Sequence, residues 1–311
     1  MARVARMVGR NSYATRPPTI AELLHAADWP LFSFELFPPK DDEQGKLLWD
    51  TVRRLEALGP DFVSVTYGAS GSTRDRTIEL THAIAEQTTL RTMAHLTCAS
   101  QSRDRLRQVV GAYAGVGIRH ILTIRGDMPG GPLQPWVRHP EGLANATELV
   151  ELVHSLGDFC IGVAAFPDLH PEQHDADLDA RILVAKEQAG ASFAITQLFF
   201  TAEHYFDLVE RVRALGSDLP VIHGIMPVTR LSQIQRFAEL SGADLPGWVV
   251  DRLAAAGSDP AAVRQVGVEL AIELSQRLLA GGAPGLHFIT MNRSTATLEI
   301  LREVEPLARV H

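Results

Sequence analysis

The sequence predicts a (β/α)8 TIM barrel, and three observations lead to this prediction. Eight short apolar runs rich in β-branched and aromatic residues alternate with segments of helical period. The runs are almost continuously apolar, as is typical of parallel strands buried on both faces. Eight such units within about 270 residues match the usual length of this barrel. The doubly wound alternative is weaker, because the chain has neither a GxGxxG turn nor a GxxxxGK[ST] loop.

The predicted strands follow one another at regular intervals along the chain. They cover residues 32–39, 61–67, 91–98, 120–127, 160–168, 193–200, 220–228 and 285–292. The segments between them have apolar residues at three-to-four spacing and usually end at a glycine, as at Gly59, Gly157 and Gly216. The stretch between strands seven and eight is long enough for extra helices. We therefore expect a flexible arm over residues 1–18 and a single catalytic domain over residues 19–311.

Composition and charge exclude several classes of function. The 311 residues include 29 Lys+Arg against 37 Asp+Glu, a net charge of −8, so nucleic acid and anionic membranes are not expected partners. No run approaches the roughly 18 apolar residues of a membrane span, and the N-terminus has no apolar signal region. Cys98 and Cys160 lie in apolar runs without CxxC pairing. We expect free thiols in a cytoplasmic protein.

Polar residues stand where the predicted strands end, which is where active sites of such barrels form. Glu35 is the most informative of them, because a carboxylate within an apolar strand is either paired or has a raised pKa suited to a general acid. A buried salt bridge is the alternative. Asp127 follows Arg125 by two residues, so both point the same way, and a local ion pair between them is equally open. Gln197 is either a ligand contact or a satisfied core amide.

Some chemistries fit the sequence poorly. Schiff-base catalysis needs a lysine at a strand end, and Lys40, Lys46 and Lys186 all lie outside the predicted strands. His170 and His174 have metal-like spacing, but no HxH or carboxylate cluster completes a site, so we predict no metal. A metal-dependent barrel hydrolase using this pair with Asp127 remains the alternative from another enzyme class.

Eight blocks of sequence, in order, resemble those of the methylenetetrahydrofolate reductase family. They are FSFELFPPK, DFVSVTYGASGSTRDRT, AHLTC, GIRHILTIRGDMP, VAAFPDLHPE, AGASFAITQLFF, HGIMPV and LHFITMNR. The resemblance runs from about Phe32 to Arg293. It implies an oxidoreductase of one-carbon metabolism that reduces 5,10-methylenetetrahydrofolate to 5-methyltetrahydrofolate for methionine synthesis, on a barrel that usually holds FAD.

The resemblance also implies roles for individual residues. Glu35 matches the family's proton donor to N10 of the folate, and Asp127 the aspartate that binds the pterin and stabilises the cationic iminium. Gln197 matches a second pterin contact, and Arg293 the arginine that meets the glutamate tail of the folate. Positions that contact the dinucleotide cofactor fall on Thr66, His95, Arg125, Phe166, His170, Asp179 and Lys186.

Several family positions carry a different residue in this chain. Phe166 and Leu143 stand where the flavoenzymes have tyrosine, and Ile182 and Ala185 where they have polar or basic residues. Four lost contacts of about 1 kcal/mol each would weaken FAD binding roughly a thousandfold. Two further positions, Leu231 and Ile289, replace aromatic residues where nicotinamide and folate stack. The sequence therefore predicts a flavin-independent member that passes a hydride directly from NADH, with NADPH as the alternative donor and with weakened FAD binding.

Other properties follow from the family or stay open. The family resemblance implies a homo-oligomer. A non-catalytic folate- or nucleotide-binding module would keep Gln197 and Arg293 but would have no need of an acid at Glu35. The choice between NADH and NADPH and the length of the folate tail are not fixed by any recognisable motif.

Overall fold

Eight parallel strands close into a barrel in which each strand pairs with its neighbours in chain order and β1 pairs with β8. The computed structural model describes residues 16–67, 71–241, 243–293 and 295–308. The predicted (β/α)8 fold is confirmed. The strands are β1 (Leu31–Leu36), β2 (Phe62–Val65), β3 (Thr92–Thr97), β4 (His120–Ile124), β5 (Cys160–Ala165), β6 (Phe193–Thr196), β7 (Val221–Ile225) and β8 (Gly285–Ile289).

Helices alternate with these strands and cover the outside of the barrel. In the described residues they are α1 (Ile20–Ala26), α2 (Asp42–Glu56), α3 (Gly71–Gln87), α4 (Arg103–Gly115), α5 (Ala146–Leu156), α6 (Ala176–Gln188), α7 (Ala202–Ala214), α8 (Leu231–Ser241), α9 (Gly247–Ala255), α10 (Pro260–Ala280) and α11 (Thr295–Ala308). The extra helices expected between β7 and β8 are α8, α9 and α10. None of the described helices is both long and apolar enough to cross a bilayer.

Each predicted strand starts within one residue of the observed strand, but each predicted end runs too far. The pairing ends at Leu36, Ala165 and Thr196, while the apolar sequence continues into the following loops. Prolines such as Pro38 and Pro167 lie in these overrunning segments, and proline cannot donate to a strand ladder. Several site residues placed on strands by sequence therefore lie on loops just beyond them.

The inside of the barrel is apolar near the start of the strands and polar near their ends. Phe62, Met93, Leu122 and Phe193 belong to one buried cluster, which Ile20 of α1 joins. Helix α1, which begins with a capping box between Thr19 and Glu22, thus packs on the cluster that fills the N-terminal half of the barrel. The chemistry-bearing side chains collect at the opposite mouth.

Other sequence expectations have mixed outcomes. Cys98 and Cys160 are both free and buried, as predicted. Most of the expected arm, residues 1–15, lies outside the described residues, so the division at residues 18 and 19 stays a prediction.

Candidate active site

Glu35 lies near the end of β1 with only 14% of its side chain exposed. The Thr66 hydroxyl, just beyond β2, donates to Glu35 Oε1 at 2.6 Å. Burial raises the pKa of the Glu35 carboxyl from 4.5 to about 7, and the hydrogen bond from Thr66 opposes that rise only in part. The carboxyl can therefore hold or release a proton near neutral pH, as a general acid must.

The loop after β8 holds the backbone around Glu35. The Thr290 hydroxyl donates to the Glu35 carbonyl at 2.6 Å. The Asn292 amide donates to Phe37 O at 2.8 Å and accepts from Phe37 N at 2.9 Å. Asn292 has φ of +56°, a left-handed conformation that asparagine tolerates better than most residues. The sequence analysis did not predict these hydrogen bonds between Asn292 and Phe37.

The loop after β4 carries Arg125 and Asp127 on either side of a glycine. Gly126 has φ of +80°, and a Cβ there would lie 2.5 Å from the Cβ of Thr97, so the loop requires glycine. Asp127 is open to solvent at the mouth, yet partial burial raises its carboxyl pKa while Arg125 lowers it. The loop thus presents a carboxylate to whatever occupies the mouth.

Arg125 does not form the ion pair with Asp127 that the two-residue spacing left open; its partner is Glu172. Both of its terminal nitrogens contact the carboxylate of Glu172, at 2.6 and 2.7 Å. Its guanidinium also lies over the ring of Trp136, 4.7 Å from the centroid. The local ion pair with Asp127 is replaced by one across two loops, and no sequence signal links Arg125 to Glu172 because they are 47 residues apart.

The two remaining predicted folate contacts also lie at this mouth. Gln197 follows β6, is partly buried, and accepts a hydrogen bond from Leu198 N at 2.9 Å. Arg293 follows β8 and is exposed, with its backbone N donating to Thr290 O at 2.9 Å. An exposed guanidinium at the rim suits an anionic group that extends out of the site.

The positions predicted for the dinucleotide cofactor lie near the ends of β2 to β5 and on α6. Asp179 accepts from His170 N at 2.8 Å, and the His170 ring meets Phe166 edge-on at 4.8 Å. Lys186 is buried and donates to Ala164 O at 2.9 Å; burial lowers its pKa to about 8. The Thr66 hydroxyl, predicted as a cofactor contact, donates its hydrogen bond to Glu35 Oε1 in the structure.

His95 on β3 is a buried histidine that the family resemblance places among the cofactor contacts. It is 4% exposed, and its Nε2 has no hydrogen-bond partner among the described residues. Burial lowers its pKa to about 3, so it is neutral at physiological pH.

A cavity of about 320 Å³ opens beside this region between α6 and α7. Phe166 and Asp179 line it together with Asp168, His204 and Asp244. Asp168 is paired with His204 Nδ1 at 2.6 Å and accepts from Asp244 N at 3.0 Å. The sequence analysis did not predict this cluster, because Asp168, His204 and Asp244 are far apart in the chain and share no local motif.

The structure places one of the family departures, Leu143, away from the mouth of the barrel. Leu143 is fully buried in the main hydrophobic cluster outside the barrel, so the expectation that it replaces a cofactor contact is wrong. Ile182 lies one turn from both Asp179 and Lys186 along α6, whereas Ala185 is the chain neighbour of Lys186. Three replacements therefore remain: Phe166, Ile182 and Ala185.

Leu231 and Ile289 belong to one apolar cluster at the mouth. Both are partly buried and pack with Leu198, Phe200 and Met226. This side of the mouth is therefore lined by aliphatic side chains at the two positions where the family has aromatic ones.

His170 and His174 do not assemble a metal site. His170 Nδ1 accepts from Glu172 N at 3.3 Å. Among the described residues, no group of three or more histidine, cysteine or acidic side chains is arranged to hold a metal ion.

Comparison with known proteins identifies relatives over most of the chain. A model of the family described as methylenetetrahydrofolate reductase matches residues 20–305. The 5,10-methylenetetrahydrofolate reductase of Pectobacterium carotovorum is 39% identical over 268 residues, which cover 86% of this chain and 88% of that protein. The enzyme of the same name from Escherichia coli K12 is 38% identical with the same coverage.

A solved structure shares the fold at much lower sequence identity. It is a protein from Clostridium thermocellum that is described as binding two copies of 5-methyl-5,6,7,8-tetrahydrofolic acid. The match has a TM-score of 0.69 and 13% identity, and it covers 94% of this chain and 100% of that one.

Proposed function

The chain belongs to the methylenetetrahydrofolate reductase family and is an enzyme that reduces 5,10-methylenetetrahydrofolate, and we propose that it does so by direct hydride transfer from NAD(P)H with Glu35 as the proton donor. The observation that carries the proposed role of Glu35 is its setting: a buried carboxyl at the mouth of the barrel with a pKa raised to about 7. Such an acid is partly protonated at physiological pH and can still release its proton.

In the proposed reaction Glu35 gives its proton to N10 of the folate. The bond between N10 and the methylene carbon breaks with its electron pair going to N10, which leaves an N5 iminium cation. A hydride from C4 of the nicotinamide then adds to the methylene carbon, forming 5-methyltetrahydrofolate and NAD(P)⁺. The Thr66 hydroxyl lies 2.6 Å from Glu35 Oε1 and 3.2 Å from Leu36 O, so it can turn toward the carboxylate as negative charge appears.

Three further residues bind or stabilise the folate in this proposal. The Asp127 carboxylate supplies a fixed negative charge for the iminium cation. The Gln197 amide nitrogen donates to the pterin ring, while its oxygen accepts from Leu198 N. Arg293, exposed at the rim, pairs with a carboxylate of the glutamate tail.

Two features support direct transfer over a tightly held FAD. Both terminal nitrogens of Arg125 bind the Glu172 carboxylate, so this guanidinium is not free to pair with the pyrophosphate of FAD. Ile182 and Ala185 offer it neither charge nor hydrogen-bond donor on α6. These residues do not fit a resident FAD, whereas NAD(P)H leaves after each turnover and needs binding only in the micromolar to millimolar range.

Family habit alone favours the alternative, in which the same reaction passes through bound FAD. The decisive experiment is the visible absorption spectrum of the purified protein, followed by NADH and NADPH oxidation with methylenetetrahydrofolate before and after addition of FAD. A colourless protein that turns over and ignores FAD supports direct transfer. Flavin bands, or turnover that requires FAD, overturn it.

A gain-of-function variant sharpens this test. Ile182→Asn combined with Ala185→Arg restores the polar and basic side chains that the flavoenzymes carry on this helix. We expect the double variant to bind FAD at least tenfold more tightly than the unchanged chain in a fluorescence-quenching titration. Ile182→Val with Ala185→Ser is the matched control and should leave FAD binding unchanged.

A further inference from the structure

The loop after β4 carries a cation and a carboxylate two residues apart, yet the two do not pair. Both terminal nitrogens of Arg125 bind the Glu172 carboxylate, at 2.6 and 2.7 Å. Asp127 forms neither a hydrogen bond nor an ion pair with any of the described residues. Partial burial raises the pKa of the Asp127 carboxyl, and the charge of Arg125 opposes that rise without a direct contact.

The backbone between the two residues contributes to their separation. Gly126 has φ of +80°, so the alternation that would point Arg125 and Asp127 the same way in a strand does not extend across it. Any other residue here would place its Cβ 2.5 Å from the Cβ of Thr97. Arg125 O also accepts from Ala99 N at 3.0 Å. The backbone of the loop is thus fixed, and the partner of Arg125 depends on where its long side chain is directed.

Two groups direct the Arg125 side chain. Its guanidinium lies 4.7 Å from the ring centroid of Trp136, which is itself partly buried against the main hydrophobic cluster. Glu172 is held in the turn after β5, where its backbone N donates to His170 Nδ1 at 3.3 Å. A bidentate contact fixes the plane of a guanidinium as well as its position. It is also the geometry in which a partly exposed ion pair has a measurable effect.

We propose that Glu172 is a positioning residue for Asp127: it holds Arg125 away from the Asp127 carboxylate and thereby leaves that carboxylate unpaired for the cationic iminium. A contact with Arg125 would place a cation where the iminium has to be stabilised, whereas the present arrangement keeps Asp127 charged and open. This inference rests on the proposed role of Asp127 in the reaction.

Arg125 is the cation that has to be directed elsewhere. Its charge is the one that acts on the Asp127 carboxyl. Burial, followed by the charge of Arg125, lowers the pKa of His170, so that ring is neutral at physiological pH. Lys186 is buried and donates to Ala164 O at 2.9 Å. The choice of partner by Arg125 therefore determines whether the Asp127 carboxylate is available.

A double-mutant cycle on the ligand-free protein tests this role without reference to turnover. Aspartate is labelled with ¹³C at its carboxyl carbon, and the Asp127 signal is identified by its loss in Asp127→Asn. We expect Glu172→Gln to lower the pKa of Asp127 by about 1, because the released guanidinium then pairs with Asp127. With Arg125→Gln also present, the same substitution should lower it by no more than about 0.3, the direct effect of one exposed charge.

The matched control is Glu141→Gln, which removes an exposed carboxylate from the same loop and should leave the pKa of Asp127 unchanged. Equal decreases with and without Arg125 would mean that Glu172 acts only through its own charge, and they overturn the proposal. So does an unchanged pKa of Asp127 in Glu172→Gln.

Turnover tests the consequence for the reaction. Glu172→Gln should lower kcat about tenfold at saturating NADH and folate, because the iminium loses its free counter-charge. Adding Arg125→Gln to this variant should raise kcat at least threefold, since the competing cation is gone. If Glu172 only stabilised the fold, the second substitution would lower kcat further or leave it unchanged, and either result refutes the role of Glu172.

The two proposals fail in different ways. Full turnover in Asp127→Asn refutes the proposed role of Asp127 in the reaction. Equal pKa decreases in the two backgrounds refute the role of Glu172, whatever the turnover. Because the pKa cycle uses the chain without ligand, its result does not depend on whether hydride comes from NADH directly or through FAD.

Discussion

Replacing Glu35 with glutamine should stabilise the protein above pH 7 while removing most of its turnover. The unfolded chain ionises this carboxyl near pH 4.5, but the folded protein keeps the proton until about pH 7. Between these values the folded state binds more protons, so raising the pH favours unfolding. Above pH 7 both states are ionised, and the cost of burying the charge stays constant.

The size of this effect follows from the two pKa values. They differ by about 2.5, and each pKa unit is worth about 1.4 kcal/mol, so the native carboxylate costs about 3 kcal/mol of unfolding free energy at pH 8. Glutamine keeps the shape and accepts the Thr66 hydrogen bond without the charge. Its advantage should shrink below about 1 kcal/mol at pH 5, where most of the difference has disappeared.

The measurement is urea denaturation of the native protein and Glu35→Gln at pH 5 and pH 8, beside NADH oxidation at each pH. Glu151→Gln, an exposed substitution on α5, is the matched control and should not change the pH dependence. Turnover of Glu35→Gln should fall by about 10² to 10⁴. An equal stability difference at both pH values would refute the reasoning, because it would mean that the carboxyl is not held protonated by the fold.

Three other substitutions separate binding, rate and stability. Asp127→Asn should lower kcat about 10- to 100-fold without changing the melting temperature, because it removes charge stabilisation from a solvent-open loop; stopped-flow turnover and calorimetry check this. Arg293→Ala should raise the folate KM about tenfold, and the effect should disappear with a folate that lacks the glutamate tail. Asn292→Ala should cost about 2 kcal/mol in urea denaturation by deleting both hydrogen bonds to Phe37; an unchanged midpoint would show that water replaces these bonds.

The alternation of apolar runs with helical segments was sufficient to predict the barrel, because each strand is buried on both faces and each helix shows its period. The strand ends were less predictable. Leu198, Phe199 and Phe200 continue the apolar run of β6, yet they pack outward into neighbouring clusters instead of pairing with β7. Apolar composition alone does not distinguish a paired residue from a buried loop residue.

The residues of the candidate site also differ in how far the sequence could predict them. Glu35, Arg125 and Asp127 stand out in the sequence because charge at the end of an apolar run is unusual. The hydrogen-bond partners of Glu35 and Arg125 do not stand out: Glu172 lies in a different loop from Arg125, and Thr66 follows a different strand from the one that carries Glu35. These contacts depend on which strands become neighbours, and that information is distributed over the whole chain.

Glu35 belongs to the first strand, but the residues that orient the backbone around it belong to the loop after the last strand. Thr290 and Glu35 are 255 residues apart in the chain and meet only where β8 pairs with β1. This seam is the most non-local contact of the barrel, and contacts of that kind carry the largest loop-closure entropy during folding. A growing or refolding chain therefore lacks an ordered Glu35 carboxyl until the ring closes. Recovery of turnover after dilution from denaturant should lag behind recovery of helical signal, and the lag would time the closure of the seam.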